Sequence, residues 1–326
     1  MFNVHSRIVD TGMYVPDKIL TNDDLEKMVD TSDEWIYSRT GIKERRISSF
    51  ATSVLGLKAV NDLLTKIDKN PLDIDLIVFC TISPDNNTPS CSCLVQKHIG
   101  AKNATAFDIN AACTGFIYGL VLADSLIKTG KYKNAIVIGS EVLSKLINWK
   151  DRNTCVLFGD GAGAVFIEAT SDINTGIIDT YTRSIGEKSD SLISRSIPVS
   201  NFMVENTEEI YPYIEMDGRE VFKFAVSSIV ESIEKLLKDN KLSINDIKCI
   251  VPHQANIRII EAAAQKLKIS VEKFFTNLHK YGNTSAASIP IALDEVNRSG
   301  NCKKGDLVIL VGFGGGLTYG SILVRW

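Results

Sequence analysis

The sequence has little that would place it in or beyond a membrane. No apolar run reaches the roughly 18 residues that cross a bilayer. The opening stretch, MFNVHSRIVDTGMYVP, lacks a basic start, an unbroken apolar segment and a small-residue cleavage site. A cytoplasmic protein with no membrane partner is expected. Excess charge of one sign is also missing: 36 Lys and Arg face 39 Asp and Glu, for a net charge of -3, and no basic run stands out. Nucleic acid is therefore not an expected partner. There are four histidines and seven cysteines (80, 91, 93, 113, 155, 249 and 302). Cys91 and Cys93 are one residue apart, with no second close pair at zinc-ribbon spacing, so no metal site is expected. In a reducing compartment the cysteines are expected as thiols.

What is present is an α/β pattern. A chain of 326 residues exceeds one ordinary core and suits two halves of roughly 150 residues each. Short β-branched runs mark strands at 75–80, 104–108, 134–139, 164–169, 247–251 and 306–311. Helix-like stretches fall at 53–66, 90–99, 115–129, 220–239 and 256–267. The strands are continuously apolar, as in sheets covered on both faces.

A weak internal repeat runs through this pattern. Asn70–Cys80 resembles Lys241–Val251, each a short turn, an acidic residue and an apolar strand. Cys113 lies 38 residues after Asp75, and Asn283 lies 37 after Asp246. Each half ends in a Gly-rich hairpin, from Phe158 and from Gly312. These matches favour a duplication, with halves 1–171 and 172–326 joined by the turn-rich Ser171-Asp-Ile-Asn-Thr-Gly. Residues 183–213, rich in Ser, Glu and Asn, read as an excursion or lid over a site formed where the halves meet.

Three residues carry candidate chemistry. Cys113, in Asp108-Ile-Asn-Ala-Ala-Cys-Thr-Gly-Phe, sits between a strand and a helix among small residues. A helix N-terminus favours a thiolate and offers N–H groups to an oxyanion, although most cysteines are simply small buried residues. His253, in Val251-Pro-His-Gln-Ala-Asn, follows a buried strand. It can be a structural histidine, a donor to a developing enolate or an acceptor of the thiol proton. Asn283, in Gly282-Asn-Thr-Ser-Ala-Ala-Ser, can cap a helix or present an amide donor that never ionises. The loop Gly312-Phe-Gly-Gly-Gly-Leu matches no Walker or dinucleotide motif. It lets backbone N–H groups approach a bound oxygen.

Seven segments in order resemble β-ketoacyl-[acyl-carrier-protein] synthase III, a thiolase-like condensing enzyme family: 31–46, 107–116, 151–165, 216–226, 251–259, 282–288 and 312–321. The resemblance implies a five-layered αβαβα fold working as a homodimer. It also implies an acyl-CoA, by default acetyl-CoA, that acylates Cys113, and a malonyl-acyl-carrier-protein that decarboxylates and attacks the acyl-enzyme. His253 and Asn283 then hold the thioester oxygen, and the backbone N–H groups of Cys113 and Gly315 form the oxyanion hole. No cofactor is implied beyond coenzyme A as part of the substrate. Trp35 and Arg152 resemble an adenine clamp, and Arg39 a phosphate contact. Phe158, Met216, Gly218, Ala255, Asn256 and Phe313 fall along the substrate path. Thr88 and Leu157 fall at the acyl pocket, and Arg258 faces the carrier protein.

Two positions depart from the commonest family pattern. Thr88 stands where some members carry Phe, and Arg219 where some carry a small amide, which leaves the primer open. Other readings are a related acyl-CoA-dependent acyltransferase or a condensing enzyme of secondary metabolism. A papain-like hydrolase lacks its Cys-Gly-Ser-Cys-Trp-like context here. A silent binding scaffold would not need the intact Cys/His/Asn set.

Overall fold

The apolar runs close into two sheets. The computed structural model describes residues 5–197, 202–203 and 211–326. The chain opens with β1 (His5–Tyr14), followed by a small ribbon of β2 (Ile19–Thr21) and β3 (Glu44–Arg46) that brackets α1 (Asn22–Glu26) and α2 (Asp33–Thr40). Then come α3 (Thr52–Leu64), β4 (Leu76–Cys80), α4 (Cys91–Ile99), β5 (Thr105–Ile109), α5 (Gly115–Lys128), β6 (Asn134–Glu141), the short α6 (Arg152–Cys155) and β7 (Gly161–Thr170). The first sheet has the order β1-β7-β6-β4-β5, with β4 parallel to both β5 and β6.

The second sheet repeats this plan. It is built from β8 (Gly176–Ser184) and, after a second ribbon of β9 (Leu192–Ser194) with β10 (Ile214–Met216), from α7 (Gly218–Asp239), β11 (Ile247–Pro252), α8 (Ile257–Leu267), the short α9 (Leu278–Tyr281), α10 (Ser288–Ser299), β12 (Leu307–Gly314) and β13 (Thr318–Arg325). Its order is β8-β13-β12-β11. Beyond β11, where the first sheet carries β5, a single parallel bridge joins Ile250 to Phe274. The strands after Asp75 and after Asp246 thus occupy equivalent places.

Helices and sheets stack in five layers. α3 and α4 cover the outer face of the first sheet, α7 and α8 that of the second, and α5 and α10 lie between the sheets. Leu76, Val78 and Cys80 of β4 face this central layer, while Ile77 and Phe79 face the outer one. β12 divides likewise: Val308 and Leu310 face inward, Ile309 and Val311 outward. A strand with apolar neighbours on both faces shows no alternation, which is why these runs read as continuous. Burying a Leu or Phe of this kind contributes about 1.5–3 kcal/mol.

The expected helices appear with shifts of one or two residues at their ends, set by local caps. Ser90 accepts a hydrogen bond from the Cys93 N–H at the start of α4, and Asp217 accepts from Arg219 and Glu220 at the start of α7. α10 was not foreseen, because Ser-Ile-Pro-Ile looks like a helix breaker. Pro290 lies in the first turn of α10, where its missing N–H is no loss. Deep in the central layer, the fully buried Asp294 of α10 accepts from Lys66 Nζ at 3.0 Å and from Thr11 Oγ1 at 2.8 Å, and it pairs with Arg298. Within the segment 183–213, residues 198–201 and 204–210 lie outside the described residues. The described part holds the end of β8, a 3-10 stretch at Gly186–Ser191, and β9 paired with β10.

Candidate active site

Cys113 sits where β5 has ended and α5 is about to start, on a single 3-10 turn. The preceding Ala112 has φ of 46°, a left-handed conformation that costs a residue with Cβ about 1–3 kcal/mol and that clusters at functional sites. From the second sheet the β12–β13 hairpin comes against the cysteine. A Cβ on Gly314 would lie 2.8 Å from both the nitrogen and the Cβ of Cys113. Only glycine permits that approach.

Cys113 is 6 % exposed. Burial pushes its thiol up to about 12, against the pull of the Ser285 hydroxyl and of its own backbone N–H. The helix start was expected to favour thiolate. In the resting chain desolvation outweighs it, and the sulfur is protonated.

His253 follows β11, and its backbone N–H donates to the Val311 carbonyl at 2.8 Å. The ring packs edge-on against Phe313 with centroids 5.0 Å apart. Nδ1 lies 2.6 Å from Ser288 Oγ. Burial alone takes the imidazole down to about 3, so it is neutral. A neutral ring whose Nδ1 accepts from Ser288 carries its proton on Nε2 and can donate there.

Asn283 is held by its backbone. Its N–H donates to the Leu157 carbonyl at 2.8 Å, and its carbonyl accepts from the Gly159 N–H at 3.0 Å. The side-chain Oδ1 accepts from the Ser285 N–H at 2.8 Å. Asn283 is not the expected helix cap, since Thr284 and Ala287 hold the cap positions that follow. Its oxygen closes a local turn instead, and its NH₂ is the donor group on the side chain.

Cys113 lines two cavities. A narrow one of about 140 Å³ brings together Cys113, His253 and Asn283. A wider one of about 600 Å³ is lined by Cys113, Leu143, Leu146, Ile214 and the Gly315–Gly316 loop, with Asn110 and Arg195 also in its wall. Phe158 and Leu192 border both. A buried thiol that shares a narrow cavity with an uncharged imidazole and a carboxamide suits chemistry in which charge arises only along the reaction path.

Comparison with known proteins gives the family. Residues 107–186 match the 3-oxoacyl-[acyl-carrier-protein] synthase III family, and residues 237–326 match its C-terminal region. The chain is 55% identical to the β-ketoacyl-[acyl-carrier-protein] synthase III of Clostridium acetobutylicum, over 98% of each chain. It is 54% identical to that of Clostridium novyi, over 100% of each. The chain belongs to the β-ketoacyl-[acyl-carrier-protein] synthase III family. The solved synthase III of Aquifex aeolicus superposes with a TM-score of 0.91 at 46% identity, covering 98% of this chain and 100% of that one. The thiolase-like αβαβα fold follows.

The remaining positions singled out from the synthase III pattern distribute unevenly. Phe158, Met216, Gly218, Ala255, Asn256 and Phe313 all line the narrow cavity, and Gly315 lines the wide one. Leu157 lines the narrow cavity rather than the wide one. Thr88 is exposed and lines neither, whereas its neighbour Asn87 reaches the wide cavity. Arg219 is exposed outside both cavities, although the adjacent Gly218 is in the wall.

Trp35 stands apart, with the Arg39 guanidinium 4.7 Å and the Arg152 guanidinium 5.1 Å from its ring centre. Arg152 also donates to the Asp30 carbonyl at 2.8 Å. Arg152 and the indole stand closer than the two van der Waals spacings of about 3.5 Å each that a ring between them would need. Arg258 is exposed near the start of α8, whose N-cap is Asn256.

Sequence reasoning missed three groups. Ser288, against His253, lay inside a quoted segment but was not singled out. Ser285 lay in the same segment, also not singled out, and Glu141 lacked any motif. Glu141 ends β6 fully buried, accepting from Thr81 Oγ1 at 2.9 Å, Ser83 Oγ at 2.5 Å and the Ile82 N–H at 3.2 Å. The signal available was an acidic residue closing an otherwise apolar run, NAIVIGSE. Among the described residues no cluster of His, Cys, Asp or Glu could hold a metal, and no helix is long and apolar enough to cross a membrane.

Proposed function

We propose that this chain catalyses the decarboxylative condensation of an acyl-CoA, acetyl-CoA by default, with malonyl-acyl-carrier-protein, initiating type II fatty-acid synthesis. The observation that carries this reading is the convergence of Cys113, His253 and Asn283 on one narrow cavity, with both donors uncharged. Cys113 takes the acyl group from coenzyme A as a thioester. The malonyl thioester oxygen then lies between His253 Nε2 and the Asn283 amide, which stabilise the enolate as carbon dioxide leaves. The backbone N–H groups of Cys113 and Gly315 hold the oxyanion of acyl transfer. One such donor contributes about 3 kcal/mol, and neutral donors lose nothing to a charged ground state.

The two cavities divide the substrate. The narrow one suits the pantetheine arm, passing Met216, Gly218, Ala255, Asn256 and Phe313. The wide one suits the acyl chain. At the mouth, the adenine displaces Arg152 from Trp35 and stacks on the indole, with Arg39 on the phosphates. Arg258 meets the acidic carrier protein. A cytoplasmic homodimer places Thr88 against the partner's acyl pocket, and residues 1–171 and 172–326 act as the two halves. No resident cofactor takes part in this chemistry.

Intact-protein mass spectrometry after incubation with a panel of acyl-CoAs tests the reading. The expected result is a mass gain equal to the acyl group, absent in Cys113→Ala. No adduct on the native chain, or an unchanged adduct in the variant, rejects it.

A further inference from the structure

The acylation step needs somewhere for the Cys113 proton to go. His253 is a poor acceptor: buried among apolar groups, its imidazole binds a proton only near 3. Beside Cys113 stands Ser285, 1 % exposed, which lines the wide cavity with it. Its 3-10 turn packs against both the Cys113 turn and the end of β6 that carries Glu141, so closely that a Cβ on Gly139 would lie 2.2 Å from the Ala286 carbonyl oxygen. In the resting geometry no hydrogen bond closes on the Ser285 Oγ, which is buried and left unpartnered. Ser285 also has φ of 47°. A residue with Cβ held in the left-handed region at the price of strain, with a buried and unpartnered hydroxyl beside two titratable groups, calls for a reason.

Glu141 is built to receive a proton. Three donors aim at its carboxylate: the Thr81 and Ser83 hydroxyls and the Ile82 N–H. Burial opposes them and lifts the acid to about 7. Among the groups around it, the Cys80 and Cys113 thiols feel its charge. Lys145 directs its ammonium to the Ser83 and Pro84 carbonyls, and Asp160 binds Ser48 and Ser144. No cation neutralises Glu141 among the described ion pairs. It is an acid balanced by two hydroxyls and one backbone N–H, with the Ser285 turn packed beside it.

We propose that Ser285 and Glu141 form a proton relay for Cys113, with Ser285 as the connecting hydroxyl and Glu141 as the acceptor that stores the proton through the catalytic cycle. The Cys113 S–H proton passes to Ser285 Oγ while the hydroxyl's own proton passes to the Glu141 carboxylate, and the S–H electron pair stays on sulfur. The sulfur attacks the thioester carbonyl carbon, a new C–S bond forms, and the bond to coenzyme A breaks. Coenzyme A leaves as a thiolate and is protonated by solvent. When the carbanion left by decarboxylation attacks the acyl-enzyme, the Cys113 thiolate is expelled. It recovers its proton from Glu141 through Ser285. This relay deepens the proposed function and rests on it.

Ser285→Gly is the informative variant, because glycine prefers the left-handed backbone that serine is forced into. It deletes the hydroxyl, keeps the N–H that orients Asn283, and should not lower the melting temperature. Single-turnover acylation by acetyl-CoA is followed by rapid quench and mass spectrometry as a function of pH. Decarboxylation of malonyl-acyl-carrier-protein is measured separately.

For the native chain, the acylation rate should rise through an inflection near 7. Ser285→Gly and Glu141→Gln should each acylate about a hundredfold more slowly and lose that inflection, with decarboxylation affected far less. Glu141→Asp should recover part of the rate. The relay is wrong if Ser285→Gly acylates at the native rate with the inflection intact. It is equally wrong if both half-reactions fall together, which is the mark of a structural role. A native chain that takes no acyl group at all rejects the functional reading itself, a separate result.

Discussion

The two sheets share a strand order, yet the ends of equivalent strands carry opposite chemistry. At the ends of β4 and β6 the first sheet gathers Thr81, Ser83 and Glu141 in one hydrogen-bonded cluster. At the ends of β11 and β12 the second sheet sets His253 against the ring of Phe313. Both groups are buried, and burial disfavours the charged form of each. It lifts Glu141 to about 7, where both protonation states are accessible. It drops His253 to about 3, where only the neutral state is. Repetition of a backbone plan thus repeats positions and not functional groups. One side can exchange a proton with the sulfur, and the other can only offer one to an oxygen.

The sharpest way to break this contrast is to strip the donors from the second side. His253→Ala and Asn283→Ala should still form the acyl-enzyme, but condensation should fall about a hundredfold to a thousandfold. Carbon dioxide release from malonyl-acyl-carrier-protein reads this directly, and normal release in both variants ends the assignment. A smaller effect is expected away from both clusters. Trp35→Ala removes the stacking face at the cavity mouth and should raise KM for acyl-CoA about tenfold while sparing kcat. A drop in kcat alone would place Trp35 elsewhere in the cycle.

The smallest effect is on stability, and its sign differs between the two sides. For His253, the unfolded chain binds a proton below the ordinary 6.5 and the folded chain only near 3. The unfolded state holds more protons in that window, so stability declines as pH falls from 6.5 toward 3. For Glu141, the folded chain keeps its proton up to about 7 while the unfolded chain loses it at the ordinary 4.5. Stability therefore declines as pH rises from 4.5 to 7. Melting curves of Glu141→Gln across pH should show the second slope flattened and the first untouched. An unchanged rise-side slope would mean that Glu141 is already ionised in the folded chain.

Much of the fold was legible because burial writes directly into composition. Continuous apolar runs such as LIVFC and LVILVGFG have partners on both faces and became central strands. The edge strand β1 was not foreseen, since Asp10 and Gly12 interrupt its apolar pattern and its pairing shifts register between Ile8 and Asp10. α10 was hidden by Pro290. At the site, residues adjoining small-residue segments stood out: Cys113, His253 and Asn283. Glu141, Ser285 and Ser288 did not, because a buried polar side chain is recognisable only by the groups it meets in space. Leu157 and Thr88 show the same limit. A motif places a residue beside a pocket, but which of two joined spaces it faces depends on loops from both sheets.

The two hydrogen bonds that clasp Asn283 between Leu157 and Gly159 reach further than one side chain. They stitch a loop of the first sheet to a loop of the second, beside the narrow cavity that Cys113 lines. Slippage at that stitch shifts the amide and the cysteine relative to each other, even when every reacting group is intact. Damage to Arg45, which is fully buried and donates to the Val156 carbonyl at 2.7 Å, can therefore silence the enzyme from a place no substrate visits.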